Sequence, residues 1–452
     1  MNFRPSFSRH VRGSVLIIVL WICLGLVALT LYFANSMSSE LRAGDNRAME
    51  IAARQAVAGA ERYAAHVLST YMTGGTVPAA TSATAGFPYQ AENLAVGDAR
   101  FWFIGRDPNL APANDPVFGL VDEASKLNLN TATRAMLEKL PNMTPDLAAA
   151  ILTWRSRAGT ADTVGNTYAS LTPARLNKGA PFETVDELRL VYGATLDLLF
   201  GEDTNRNGAL DANEDDDDLS PPRDNQDGQL QAGLLDYLTV YSSQPNTRAD
   251  GTRRVNVSTL PLRTGLPALL QTKLSPARAA HVMNRIGNAT FGSVAEFFLA
   301  SGLTADEFAQ VHADLTVSQG ASTPGLVNVN TARASVLACL PGMTPALAAQ
   351  VTAYRLAHPD ALTSFAWMLE VVGRAVFIQA GPYITDQSYQ FSADVAAVGG
   401  NGRGYCRERV VFDLSRGTPR IVNRQDLSSS GWALGPSVRQ TYSATPPPGT
   451  NS

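Results

Sequence analysis

An apolar run from Val15 to Ala34 directly follows a short basic leader, and it constrains every fold open to this chain. Arg4, Arg9 and Arg12 lead to Gly13. Ser14-Val15-Leu16-Ile17-Ile18 comes next, and no charged residue returns until Glu40. About 20 apolar residues are enough for one helix to cross a bilayer of roughly 30 Å. A secretory signal peptide has a shorter apolar region, about 7–15 residues, with its small-x-small cleavage site after it. Ala34-Asn35-Ser36 is a poor version of such a site. An ordinary membrane anchor with its arginines on the cytoplasmic side also fits these residues. A cut placed before the apolar run, at Gly13, would leave the helix in the mature protein.

The helical pattern does not stop at the membrane length. Glu40-Leu41-Arg42, the stretch from Arg47 to Ala56 and Glu61-Arg62-Tyr63 mix good helix formers with a small apolar face. One long helix to about Met72 is expected. The Gly/Thr/Ala/Pro stretch from Thr73 to Gly86 reads as a loop. Arg100-Phe101-Trp102-Phe103-Ile104 and Val117-Phe118-Gly119-Leu120-Val121 read as strands. A mostly helical block from Asp122 to Thr385 follows. Three further strands are expected at Tyr389–Val398, Tyr405–Phe412 and Arg420–Val422, then a disordered Pro446-Pro447-Pro448-Gly449 tail. Strands on both sides of a helical block suggest one α+β domain with an insertion. Two α+β units in tandem are the alternative, and each would have few strands for a sheet.

The helical block repeats itself. Leu127-Asn128-Leu129-Asn130-Thr131-Ala132 leads through Leu140-Pro141-Asn142-Met143-Thr144-Pro145 to Arg155. Val327-Asn328-Val329-Asn330-Thr331-Ala332 leads through Leu340-Pro341-Gly342-Met343-Thr344-Pro345 to Arg355. A degenerate copy starts at Val255-Asn256-Val257-Ser258-Thr259 and passes Leu274-Ser275-Pro276. Proline cannot continue the first helix of each full copy. Thr-Pro restarts a second one, with threonine as N-cap and proline at the first position. Asn130 and Asn330, or the threonines after them, are expected to cap the first helix. Each unit is a helix-hairpin-helix followed by an aromatic-plus-acid segment, at Phe182, Phe291 and Phe365. Such units often bind the DNA backbone through a glycine pair in the hairpin. Here a threonine stands where the second glycine belongs, which favours a packing role.

Asp203-Thr204-Asn205-Arg206-Asn207-Gly208-Ala209-Leu210-Asp211-Ala212-Asn213-Glu214 matches the twelve-residue EF-hand loop. Asp203, Asn205, Asn207 and Asp211 place oxygens at positions 1, 3, 5 and 9. Ala209 offers its carbonyl at position 7, and Glu214 can bind bidentately at 12. The spacing points to calcium. The other reading is a solvated acidic loop, supported by the run Asp215–Asp218 and by Pro221-Pro222. Asp224, Asn225, Asp227 and Gly228 form a weaker second candidate.

Other chemistry finds little support. A net charge of −4 argues against a nucleic-acid footprint. The five histidines form no HExxH or Cys/His cluster. No GxSxG, P-loop or GxGxxG context is present, and no enzyme is expected. Cys339 and Cys406 could pair or stay free.

The leader and apolar run resemble the type IV pilin and type II secretion pseudopilin family. The resemblance implies cleavage by a prepilin peptidase between Gly13 and Ser14, with methylation of Ser14. Most members carry a glutamate at the fifth mature residue, which is Ile18 here. A carboxylate in hydrocarbon needs a partner, and the family pairs it with a neighbouring subunit's terminal ammonium. A chain with Ile18 fits the filament end. That lack, together with helical units interrupting a pilin-like domain, resembles the K-class minor pseudopilins, the general secretion pathway protein K family. The resemblance implies a leader at 1–13, a membrane-spanning and continuing helix at 14–72, and a pilin-like domain at 73–121 and 386–440. A helical insertion at 122–385 and a tail at 441–452 complete the division. It also implies a single-pass protein of the inner membrane with a periplasmic domain, at the tip of a pseudopilus whose assembly it helps initiate. Expected partners are other minor pseudopilins, the prepilin peptidase, the inner-membrane assembly platform and membrane lipid, with no nucleic acid. A membrane-anchored helix-hairpin-helix protein for DNA binding or uptake is the rival reading.

Overall fold

The computed structural model describes residues 12–74, 89–106, 115–156, 168, 172–174, 176–217, 219–248 and 250–443. Arg4, Arg9, most of the 73–86 loop and the Pro446–Gly449 tail lie outside them. The chain opens with α1, Arg12–Gly74, 63 residues long, or ~95 Å at the α-helical rise. Its large apolar side chains from Val15 to Phe33 are exposed, as are Met37, Leu41 and Ile51. Among the described residues it is the helix long and apolar enough to cross a membrane. Further along, Ala53, Ala56, Val57, Ala60, Ala64 and Leu68 are buried. Spacings of three and four place them on one face. Four of these six are alanines, so the helix can lie close against the sheet.

That sheet is assembled from both ends of the chain. β1 (Leu94–Val96) and β2 (Ala99–Ile104) form a hairpin turned at Gly97. β3 (Val121–Asp122) is short. The strand expected over Val117–Val121 is mostly absent: Phe118 makes only an isolated bridge to Ile104. The backbones of Gly105 and Gly119 cross there so closely that a Cβ on Gly105 would meet Gly119 N at 2.8 Å. This crossing breaks the regular ladder.

The chain then enters the helical block, which is less purely helical than its sequence suggests. It contains β4 (Leu127–Asn128), β5 (Leu238–Thr239), β6 (Ser243–Pro245), β7 (Val255–Asn256), β8 (Leu315–Thr316), β9 (Ser322–Pro324), β10 (Val327–Asn328) and β11 (Ile384–Thr385). β4 pairs with β5, β7 with β8 and β10 with β11, each pair parallel. β6 and β9 pair antiparallel. Each hairpin unit is therefore closed by its own two-residue parallel bridge. The closing partners share a Leu/Ile-Thr pair, and Thr239, Thr316 and Thr385 each accept a 3.1 Å bond from the amide two residues on.

Within the units the Thr-Pro restarts form as expected. Thr144 and Thr344 accept from Leu147 N and Leu347 N at 3.2 Å, each with proline at the start of its helix. The first helices start differently. Thr133 caps Arg134–Leu137, and Arg333 precedes Ala334–Ala338 without a side-chain cap. Asn130 and Asn330 are occupied elsewhere. Asn130 Oδ1 accepts from Phe182 N at 2.7 Å, and Asn330 Oδ1 accepts from Trp367 Nε1 at 3.1 Å. They fasten the aromatic segment onto its unit.

β12 (Gln390–Val398), β13 (Tyr405–Asp413) and β14 (Arg420–Asp426) complete the sheet. The order is β1-β2-β12-β13-β14, with β3 also on β12, and every pair is antiparallel. β12 is buried along its whole length. One face packs Phe103, Phe391, Val395 and Phe412 against α1. The other packs Trp102, Ile104, Ala396 and Val398 under Ala433 and Leu434. The helical block keeps a separate core running from Leu127 to Ile384. The architecture is α+β: a long N-terminal helix, a small antiparallel sheet and a large helical block spliced between β3 and β12.

Candidate functional site

The seam between the block and the sheet is polar, and the acidic loop at 203–214 lies in it. Asp203 is the loop's pivot. Its Oδ1 accepts from Asn207 N and its Oδ2 from Gly208 N, both at 2.9 Å. Asn205 Oδ1 accepts from Asn207 N at 2.9 Å, and Asn207 Oδ1 from Ala209 N at 2.7 Å. Asp211 Oδ2 accepts from Asn205 Nδ2 at 2.5 Å and from Asn207 Nδ2 at 3.0 Å. Glu214 closes the ring, taking Thr204 N at 3.2 Å and Asp211 N at 3.1 Å. The sequence thus places all six expected positions on one wrapped loop, with Asp203, Asn207, Ala209 and Glu214 buried.

Two arginines hold this loop on the sheet. Arg106, just beyond β2, donates to the carbonyls of Arg206 at 2.8 Å and Asn207 at 2.9 Å. Its Nε also binds Asp236 at 2.9 Å, and Asp203 lies 3.6 Å away. Gly208 has φ 74°, and a Cβ there would meet the Arg106 guanidinium at 2.8 Å. Only glycine satisfies both the turn and this approach. Arg407 on β13 is fully buried. It donates to the carbonyls of Asn205 and Arg206, and forks onto Asp394 with two 2.8 Å bonds. Asn205 Nδ2 reaches Trp432 O at 3.1 Å, beyond the last strand.

The charges explain why this seam holds. Burial would raise the Asp394 carboxyl, but Arg407 and then Arg409 overcome it and hold it well below the usual range. Burial opposes Asp236 in the same way, and Arg333 with Arg106 holds it low. The loop acids behave oppositely. Burial pushes Asp203 and Asp211 up, with Arg106 offsetting part of the rise at Asp203. Glu214 is pushed up to about 8, first by burial and next by the Asp203 charge. Two buried carboxylates, Asp203 and Glu214, and the half-buried Asp211, with amide and carbonyl oxygens between them, are the donor set of a hard oxygen-seeking cation. They are not drawn to a single point: among the described residues no group of three or more His, Cys, Asp or Glu is so gathered.

The weaker acidic candidate folds back on the same insert. Asp224 accepts from Asp216 N, Asp217 N and Gln226 N at 2.8–3.1 Å, and Gly228 N donates to Asp215 at 3.0 Å. Asp227 and Asn225 bond each other at 3.1 Å. Cys339 is buried in the helical core and Cys406 half-buried on β13, and both are unpaired. Gly13 and Ser14 lie in the first turn of α1, and Ile18 is 57% exposed four residues on.

The hairpins are spent on internal contacts. Arg155 donates to the carbonyls of Leu129 and Ala132, and Arg355 to those of Val329 and Ala332. Arg263 serves the degenerate copy from a different sequence position, reaching Val257 O at 2.8 Å. Lys139 donates to the carbonyls of Ala338, Leu340 and Met343 at the hairpin of the last copy. Sequence reading missed Arg106, Asp236, Asp394 and Arg407. The signal was present for Asp394, because a charged residue inside the otherwise apolar β12 needs a buried partner. Arg106 lies beyond β2, Asp236 on the short helix Leu234–Tyr237 and Arg407 on a strand with several charges, where no such pattern marks them.

The sequence matches no protein-family model and no curated protein. Among solved structures it is similar to one described as the GspK-GspI-GspJ complex from the enterotoxigenic Escherichia coli type 2 secretion system. The overlap covers 82% of this chain and 96% of that chain, at 9% identity and a TM-score of 0.37. At that score the overlap carries no weight by itself, and the fold rests on the elements above.

Proposed function

We propose that this protein is a K-class minor pseudopilin of a type II secretion system. It would be matured between Gly13 and Ser14, anchored in the inner membrane by α1, and placed with other minor pseudopilins at the pseudopilus tip to initiate assembly. The observation that supports this best is the division of α1. Its first half is apolar and unburied, its second half is packed on a small antiparallel sheet, and the chain leaves that sheet for a large helical block. A filament subunit needs such a helix: one end for the membrane and neighbouring helices, the other to carry the exterior domain. Ile18 offers no carboxylate to a subunit above it, which suits a terminal position.

The work is done by packing, and no catalytic role is assigned. Calcium would bind through Asp203, Asn205, Asn207, Ala209, Asp211 and Glu214, and would supply positive charge to three crowded carboxylates. The loop's own contacts would then transmit that order to Arg106 and Arg407, hence to β2 and β13. Deletion of the gene with complementation tests the role. Loss of extracellular enzyme with its build-up in the periplasm, restored by the wild-type chain, is expected. Undisturbed secretion would remove the proposal.

DNA binding is the poorer reading, because its two candidate arginines already face backbone carbonyls inside their own units. Salt-sensitive retention of DNA by the purified chain would restore it.

A further inference from the structure

Arg206 sits fourth in the acidic loop, yet its side chain enters the seam and lines a cavity of about 180 Å³. The residue is 8% exposed. Its guanidinium makes no hydrogen bond among the described residues. Its charged partner is Asp186, whose Oδ1 lies 3.8 Å away, beyond hydrogen-bond range. That oxygen is buried and accepts no hydrogen bond, and Arg189 also approaches it at 3.7 Å. Arg409 lines the same cavity. It gives one bond to Asp394 Oδ2 at 3.0 Å, an oxygen that already accepts from Arg407.

The other charges nearby do not make up the difference. Lys126 is matched by Glu123 at 2.8 Å. Arg424 turns to Glu61 and Glu408 at 2.8 and 3.0 Å. Arg206 and Arg409 therefore line one space that would hold several waters at roughly 30 Å³ each. Its lining sets two carboxylates, Asp186 and the Lys126-paired Glu123, against four cations, Lys126, Arg206, Arg409 and Arg424. Two guanidinium forks in a low-dielectric seam fit the geometry of an oxyanion, which accepts paired N–H bonds.

We propose that this cavity is a binding site for a small oxyanion of the sulfate or phosphate class, held between Arg206 and Arg409. The anion would complete the seam where the loop's Arg206 enters it. One twelve-residue segment would then join a cation-seeking face to an anion-seeking one.

Titration calorimetry of the full chain in nonionic detergent, with sodium sulfate as the probe, tests this. Sodium chloride at matched ionic strength is the reference, because sulfate also stabilises proteins by exclusion. Saturable sulfate binding is expected in the wild type and in Arg189→Gln, which touches Asp186 without lining the cavity. Arg206→Gln should weaken it roughly ten-fold or more with the circular dichroism unchanged. Should Arg206→Gln fail to fold, Arg409→Gln gives the same reading, since Asp394 keeps its fork from Arg407. No saturable sulfate heat in the wild type overturns the proposal. So does sulfate binding by Arg206→Gln or Arg409→Gln that equals the wild type's.

Discussion

Asp122 and Ser388 are 266 positions apart, and Ser388 Oγ donates to Asp122 Oδ2. One residue leaves the sheet for the helical block; the other returns from it. The same carboxylate accepts from Thr331 Oγ1 at 2.5 Å and Asn328 Nδ2 at 3.2 Å, both in the last hairpin unit. A single buried acid thus ties entry, exit and the final unit together.

Asp122 should give stability a pH dependence of known sign. Burial raises its carboxyl from 3.8 to about 6, against the opposing pull of its hydrogen bonds. The folded chain holds this proton more tightly than the unfolded one. The stability so gained is complete below 3.8 and is lost as the pH rises through about 6. Relative to Asp122→Asn, the wild type should lose on the order of 3 kcal/mol between these limits. Urea denaturation of both proteins across that range checks it; parallel curves would contradict it.

Removing Arg407 should be severe. Arg407→Met leaves Asp394 with Arg409 as its remaining partner, takes the Arg407 donor from Asn205 O, and leaves Arg206 O with Arg106 alone. Loss of one partner of a buried pair costs about 3–5 kcal/mol. Chemical denaturation should report that loss. Arg54→Met, which breaks an exposed pair with Glu50, should cost under about 1 kcal/mol.

Calcium should stabilise the full chain in detergent. At a hundred times its dissociation constant the gain is about 2.7 kcal/mol. A chelator should reverse it, and Asp203→Asn with Glu214→Gln should abolish it. Equal melting with and without calcium in the wild type would remove calcium from the account.

Arg355 should act on stability and leave nucleic acid untouched. Arg355→Ala removes charged bonds to Val329 O and Ala332 O, a loss of roughly 1.5–3 kcal/mol. Filter retention of duplex DNA should stay at background in both forms. Retention by the wild type that Arg355→Ala lowers would contradict the packing role.

Much of this was legible locally. The helix–sheet–block order, the Thr-Pro restarts and the loop spacing are patterns of near neighbours, so the sequence carries them openly. The long-range partners are different. Asn130 looks like a cap because capping is a local preference, yet Phe182, 52 positions away, takes it. Val117–Val121 has strand composition, but its register depends on Gly105 crossing Gly119. Arg106 finds its acids, Asp236 and Asp203, 130 and 97 positions away. No short window of sequence contains such pairs. A charged residue in an apolar strand is the one hint, and it names the need for a partner without naming the partner.

The N-terminus of the protein taken from cells tests the central claim most directly. Intact-mass and N-terminal peptide mass spectrometry should find a chain that begins at Ser14, with one added methyl group on its amine. A chain that begins at Met1, or near Ser36, would contradict the pseudopilin account.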